Sequence, residues 1–209
     1  MCGINGIIFK KSEVDFTKII NMNNMLQHRG PDSKGSMSYK NLLLGHTRLS
    51  ILDTSTKGSQ PMSNDGRFWI VYNGEVYNYL ELKEELTKKN YKFYTNTDTE
   101  VILCAFKEWG AKCFQKFNGE WALAILDKQE NKIIITRDGI GFKPCYIYED
   151  SDFFSFSSEI KPFYSLNENL EFDLENLGVS GETLSYNSKT IFKNITQLVQ
   201  GRILEIYLI

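Results

Sequence analysis

Residues 68–79 read FWIVYNGEVYNY. Two runs rich in aromatic and β-branched side chains flank Asn73-Gly74, a pair that tolerates positive φ. That arrangement is the signature of a two-residue hairpin with a type I′ turn, so the stretch by itself predicts antiparallel pairing across a tight turn. The same two residues carry a second, compatible reading. A side-chain amide beside a glycine N–H supplies two donors for an oxyanion, because glycine lets a substrate approach the backbone closely.

Outward from this stretch, strand-like runs recur at GINGIIF (3–9), LLLGHTRLS (42–50), WALAIL (121–126), KIIITR (132–137), CYIYE (145–149), FFSFSS (153–158) and RILEIYLI (202–209). All are rich in β-branched and aromatic residues. Helical spacing appears in DFTKIINMNNMLQ (15–27), where Phe16, Ile19, Ile20, Met25 and Leu26 recur at three and four, and again at 79–89 and 99–109. Hairpin-like connections make the sheets largely antiparallel, with the helices covering their faces: an α+β class. No repeat or linker divides the chain, which contains only four prolines, so residues 2–209 read as one domain.

Composition narrows function. The chain has 209 residues, 42% of them hydrophobic, and a net charge of -2. This charge and the lack of a Lys/Arg cluster give no field for nucleic acid. The lysines follow the short IIF run instead of preceding it, unlike a signal peptide, and no run approaches the ~18 apolar residues of a membrane span. A cytoplasmic protein without membrane attachment is expected. Four cysteines (Cys2, Cys104, Cys113, Cys145) without a CxxC, and only two histidines, point away from a zinc site or a disulfide framework and toward reduced thiols.

Individual residues stand out, each with a bland counterpart. Cys2 follows the initiator methionine, and so small a second residue favours methionine removal, which would put a thiol and a free α-amine on one residue. The counterpart is a small buried hydrophobe in the first strand. Thr97 and Glu100 form a capping box for the third helix, with Asp98 in its first turn, where the helix dipole favours an acid without any ligand. Arg48 lies in an apolar strand and calls for a partner, in the simplest case a salt bridge. HRGPDS (28–33) and RDGIGFKP (137–144) read as loops ordered by arginine–acid pairs. His28 and His46 read as hydrogen-bonding core or loop residues, with a Cys–His pair left open.

Taken together, MCGI, LQHRGPDS, GHTRLSILD followed by GSQPM, YNGEVYN, TDTE, FNGEWALAILD, RDGIGFKPCYI and FSSEIKPF resemble, in order and spacing, the glutaminase domain of the asparagine-synthetase family of class II glutamine amidotransferases. The resemblance runs from Cys2 to about residue 205. It implies an N-terminal nucleophile hydrolase fold, a four-layer αββα sandwich of two antiparallel sheets. It also implies that Cys2 attacks the glutamine side-chain amide with its own α-amine as general base. Asn73 and the Gly74 N–H would form the oxyanion hole, Arg48 would clamp the α-carboxylate, and Asp98 and Glu75 would face the α-ammonium. Backbone groups of Leu49, Ser50, Ile51 and Leu52 would line the same pocket. Such a base works without histidine, because an α-amine titrates near about 7.7–8.0 and a thiol near about 8.5.

The chain departs from the family pattern in two ways. Gly139 and Cys145 stand where RDPLGIKPLYY has proline and leucine, which touches no matched catalytic position. The SGGxDS phosphate-binding motif of the synthetase domain is also absent. No cofactor is therefore expected in this chain; ATP and Mg would belong to a synthetase domain or subunit that receives the ammonia. Asparagine formation is the leading expectation for that acceptor, with amidation of a sugar or another small acid as the alternative. A penicillin- or bile-acid-type acylase fits less well, since its substrates lack an amino-acid head. A non-catalytic glutamine-binding domain that keeps Met1 is the remaining rival. The apolar ending RILEIYLI fits either a fragment or a stand-alone domain, and a homodimer is left open.

Overall fold

Along the strand Gly119–Asp127, side chains alternate between two different cores, and that alternation fixes the layer order. The computed structural model describes residues 1–181, 183 and 188–209. Its elements are β1 (Gly3–Phe9), α1 (Phe16–Met25), β2 (Ser33–Tyr39), β3 (Leu42–Arg48), β4 (Phe68–Val76), α2 (Tyr79–Lys88), α3 (Asp98–Trp109), β5 (Gly119–Asp127), β6 (Lys132–Arg137), β7 (Tyr146–Glu149), β8 (Phe153–Ser157), β9 (Ile195–Gln197) and β10 (Ile203–Tyr207). Six strands form one antiparallel sheet in the order β2-β3-β1-β8-β7-β9, and four form a second in the order β10-β6-β5-β4.

On β5, Leu123 and Ile125 pack with Leu82 and Leu86 of α2 and with Ile102 and Ala105 of α3. Ala122, Ala124 and Leu126 instead meet Ile4, Leu44 and Phe156 of the other sheet. A strand's period of two thus puts one face against helices and the other against a sheet. A third cluster closes the stack: Ile7 and Leu43 pack on Ile19 and Met22 of α1. The layers run helix, sheet, sheet, helix, which is the expected α+β sandwich.

Most strand readings hold to within the uncertainty of element ends. Two strands escaped the sequence reading. β2 (SKGSMSY) and the three-residue β9 are the edges of the six-stranded sheet. No residue of β2 is fully buried, and β9 is three residues long with only Ile195 buried, so neither needs an apolar run. In α1 the buried positions are Ile19, Met22 and Asn23, whereas Phe16 and Ile20 are exposed, so the core stripe is rotated from the one the spacing suggested.

The hairpin reading of Asn73-Gly74 is overturned. Both residues lie inside β4, opposite Ala122 and Trp121 of β5. Permissiveness toward positive φ does not oblige a turn, and Gly74 answers a different demand. A Cβ there would overlap the Glu120 carbonyl oxygen and crowd the Trp121 backbone, so only glycine lets β5 run this close.

Candidate active site

The carboxyl-proximal half of β4, the end of β3 and the start of α3 converge on one cavity of about 240 Å³, with the Cys2 thiol in its wall. Arg48, Leu49, Ile51, Leu52, Asn73, Gly74, Glu75 and Asp98 line it as well. Ser50 does not: it turns away, and its N–H donates to Asp32 Oδ2 at 2.7 Å. Ile51 and Leu52, 61% and 43% exposed, form part of the rim.

Cys2 is held by the residue that follows β3. The Leu49 N–H points at Sγ from 3.4 Å, and the thiol donates toward Leu49 O at 3.6 Å. Burial pushes the thiol pKa up, against the Leu49 hydrogen bond and the positive charges of the chain terminus and Arg48. From the far side, Arg29 Nε donates to the Cys2 carbonyl at 2.9 Å. Arg29 belongs to the HRGPDS motif, but nothing local in that motif points to this contact.

Asn73 is 1% exposed and its Nδ2 has no hydrogen-bond partner. A buried orphan donor is costly unless something else uses it. The Gly74 N–H can be placed from the ladder. Trp121 gives its N–H to Asp138 Oδ2 at 3.1 Å and accepts from the Asp138 N–H at 2.8 Å. Gly74 and Trp121 therefore form a non-hydrogen-bonded pair, and the Gly74 N–H points off the outer edge of β4. Its neighbours of the same parity all find acceptors there: Ile70 on Met62 O at 2.9 Å, Tyr72 on Gln60 Oε1 at 2.7 Å and Val76 on Asp98 Oδ2 at 3.0 Å. The Gly74 N–H meets no loop or side-chain acceptor among the described residues.

Charge is arranged around these donors. Arg48, 7% exposed, donates through Nη1 to Ser55 O at 2.6 Å and through Nη2 to Asp53 O. It makes no salt bridge among the described residues, so its simplest expected partner is replaced by carbonyls of the 53–55 turn. Gly58 makes room for it, since a Cβ there would overlap Nη2. Asp98 accepts from the Tyr72 hydroxyl at 2.7 Å, and burial raises its pKa against the hydrogen bonds from Tyr72 and Val76.

The capping box is only half formed. Thr97 accepts from the Glu100 N–H at 3.3 Å, but the Glu100 carboxylate turns to the N–H groups of Tyr94 and Thr95 and to the Thr95 hydroxyl. The expected ion pairs within the two loops also fail. Arg29 pairs with Glu159 at 3.0 Å, not with Asp32. Asp138 accepts from the N–H groups of Ile140, Gly141, Phe142 and Lys143, while Arg137 Nε and Nη1 stay unpartnered. His46 is a core residue whose Nε2 donates to Tyr72 O at 3.1 Å, and His28 lies 2.8 Å from Glu159; neither has a cysteine as a hydrogen-bond partner among the described residues. All four cysteines are free.

Residues 1–208 match the family profile described as "Glutamine amidotransferase domain". The chain belongs to this family. The amidotransferase domain is 45% identical over 187 residues to "Putative asparagine synthetase [glutamine-hydrolyzing] 2" of Methanocaldococcus jannaschii, covering 80% of this chain and 36% of that protein. It is 38% identical over 182 residues to "Asparagine synthetase [glutamine-hydrolyzing] 1" of Bacillus subtilis, covering 85% of this chain and 29% of that protein. The chain thus spans about a third of the length of these curated relatives. Among solved structures, the glutamine phosphoribosylpyrophosphate amidotransferase of B. subtilis shares the fold, with a TM-score of 0.74 at 20% identity over 99% of this chain and 47% of that one. No helix among the described residues is long and apolar enough to cross a membrane.

Proposed function

We propose that this amidotransferase domain hydrolyses L-glutamine to L-glutamate and ammonia through a thioester on Cys2. The observation that carries the reading is the pair of unpartnered donors, Asn73 Nδ2 and the Gly74 N–H, on two adjacent residues that line the cavity beside Cys2. Donors fixed in advance where charge develops are what acyl transfer needs.

With Met1 removed, the α-amine of Cys2 takes the thiol proton and Sγ attacks the side-chain amide carbon. The oxyanion is held by Asn73 and Gly74. The C–N bond breaks as the ammonium returns its proton to the departing ammonia, leaving the γ-glutamyl thioester. A water, deprotonated by the same amine, then cleaves the C–S bond and restores the thiol. Arg48 faces the α-carboxylate with donors not engaged by the 53–55 turn, and Asp98 with Glu75 faces the α-ammonium. This pairing of charges favours a free amino acid over an N-acylated substrate.

The names of the relatives support asparagine formation as the use of the ammonia, with ATP and Mg acting in a synthetase domain or partner subunit. Cys2→Ala should release no ammonia from glutamine yet still bind it. In the wild type, 6-diazo-5-oxo-norleucine should add once, at Cys2, to a chain whose intact mass lacks one methionine. Turnover by Cys2→Ala would overturn the mechanism, and an unlabelled chain that retains Met1 would favour a non-catalytic glutamine-binding domain.

A further inference from the structure

The FSSEIKPF segment (156–163) contains an acid that the chemistry above leaves unused. We infer that Glu159 is a positioning residue for the nucleophile, acting through Arg29 on the backbone of Cys2. The inference rests on the assignment of Cys2 as nucleophile.

Strand pairing brings the acid there. β8 runs antiparallel to β1 with Ser157 opposite Asn5. One residue on, the Ser158 N–H donates to Ile4 O at 2.9 Å and Ser158 Oγ accepts from the Ile4 N–H at 3.0 Å. Glu159 follows at once, alongside the Cys2 end of β1. Its Oε1 accepts from Arg29 Nη1 at 3.0 Å, and the same guanidinium donates through Nε to Cys2 O at 2.9 Å. Burial works against a charge on Glu159, but the hydrogen bonds from His28 and Arg29 hold its carboxyl below the usual range.

The geometry matters because a processed Cys2 has no preceding peptide. Its amine and thiol hang from one Cα, and their aim depends on how firmly the Cys2–Gly3 peptide plane is held. Gly3 is fixed by pairing with Thr47, and the Cys2 carbonyl by Arg29. The arginine in turn needs an acceptor on its far side to keep its long side chain in one rotamer. Among the described residues, its side-chain acceptors are Glu159 and Met1 Sδ, the latter at 3.9 Å. The second leaves with Met1, so maturation makes Glu159 the remaining anchor. The 28–30 loop is itself pinned to β3, since a Cβ on Gly30 would overlap the Thr47 and Arg48 backbone.

The test uses processed enzyme whose mass lacks Met1, and measures the labelling rate of Cys2 by 6-diazo-5-oxo-norleucine together with kcat and KM for glutamine. Misplacement of reacting groups by an ångström costs on the order of 100-fold. Glu159→Ala should therefore slow labelling and kcat by roughly 10–100-fold, with KM little changed. Glu159→Gln keeps the acceptor without its charge and should recover most of the loss. In an Arg29→Ala background, Glu159→Ala should add nothing, because the two residues form one chain of contacts. Melting curves separate these effects from unfolding; if Glu159→Ala does not fold, Glu159→Asp, whose shorter side chain withdraws the acceptor from Arg29, carries the same comparison with and without Arg29→Ala. Effects that multiply across the two sites, or labelling of Glu159→Ala at the wild-type rate, would overturn the inference and leave the glutaminase reading intact. A processed wild type that takes no label would overturn both.

Discussion

The Asp98 carboxylate and the Tyr72 hydroxyl are joined by a 2.7 Å hydrogen bond across the cavity wall, linking the first turn of α3 to the middle of β4. Burial has already raised the Asp98 pKa, and the Tyr72 hydroxyl is one of the groups restraining it.

Removing that hydroxyl should let Asp98 protonate at higher pH. A protonated Asp98 cannot attract an α-ammonium, so in Tyr72→Phe the KM for glutamine should begin to climb at a higher pH than in wild type as the solution is acidified. At pH 8 kcat should be nearly unchanged. Initial rates between pH 8 and 5 check this, and superimposable KM profiles would disprove it.

Asn73 separates activity from stability. Loss of one oxyanion donor typically lowers kcat by about 10²–10³. Because Asn73 Nδ2 has no protein partner, Asn73→Ala removes a buried orphan donor and should melt no earlier than wild type. An inactive variant that also melted much earlier would mean that the amide holds the fold together instead.

His46 predicts an acid-sensitive component of stability. Burial lowers its pKa from 6.5 to about 4. Because the folded value is depressed, the unfolded chain binds the proton more readily below pH 6.5. The stabilisation is present in full above that pH and is lost as pH falls from about 6.5 to about 4, a span that corresponds to about 3 kcal/mol. Urea denaturation of wild type and His46→Gln across that window should show a steeper acid decline for wild type, and parallel curves would refute the assignment.

At the start of α3, Thr97→Ala should cost about 1 kcal/mol as a lost N-cap. Glu100→Ala should cost more, because the backbone N–H groups of Tyr94 and Thr95 would each lose the carboxylate that accepts from them, and an unsatisfied group costs about 1–3 kcal/mol. Denaturant midpoints rank the two, and the reverse order would contradict the half-formed box.

The legible parts of this molecule are those where side-chain pattern and burial coincide. β1, β5 and β6 announce themselves because both faces are covered, and Thr97 was recognised as a cap because its role is local in sequence. β2 and β9 are hidden because β2 has no fully buried residue and β9 is only three residues long, so neither carries an apolar pattern. Asn73-Gly74 departs from its local signal for a different reason. Local propensity favoured a turn, and what decided against it was Trp121, 47 positions away, which needs the space that Gly74 leaves empty. The neighbours of Cys2 follow the same division. Arg48 and Asp98 could be matched to a motif, whereas the link from Arg29 to Cys2 exists only once β1 and the 28–30 loop are placed side by side.

Met1 lines the cavity and is 57% exposed. Any peptide joined ahead of Cys2 therefore begins at the cavity wall, where Met1 sits. On the proposed mechanism, an affinity tag at that end would both crowd the cavity and convert the base into an amide, so recombinant enzyme prepared that way would be silent for a trivial reason. Purification handles for this protein belong at the other end, or behind a protease site cut so that cysteine is the first residue.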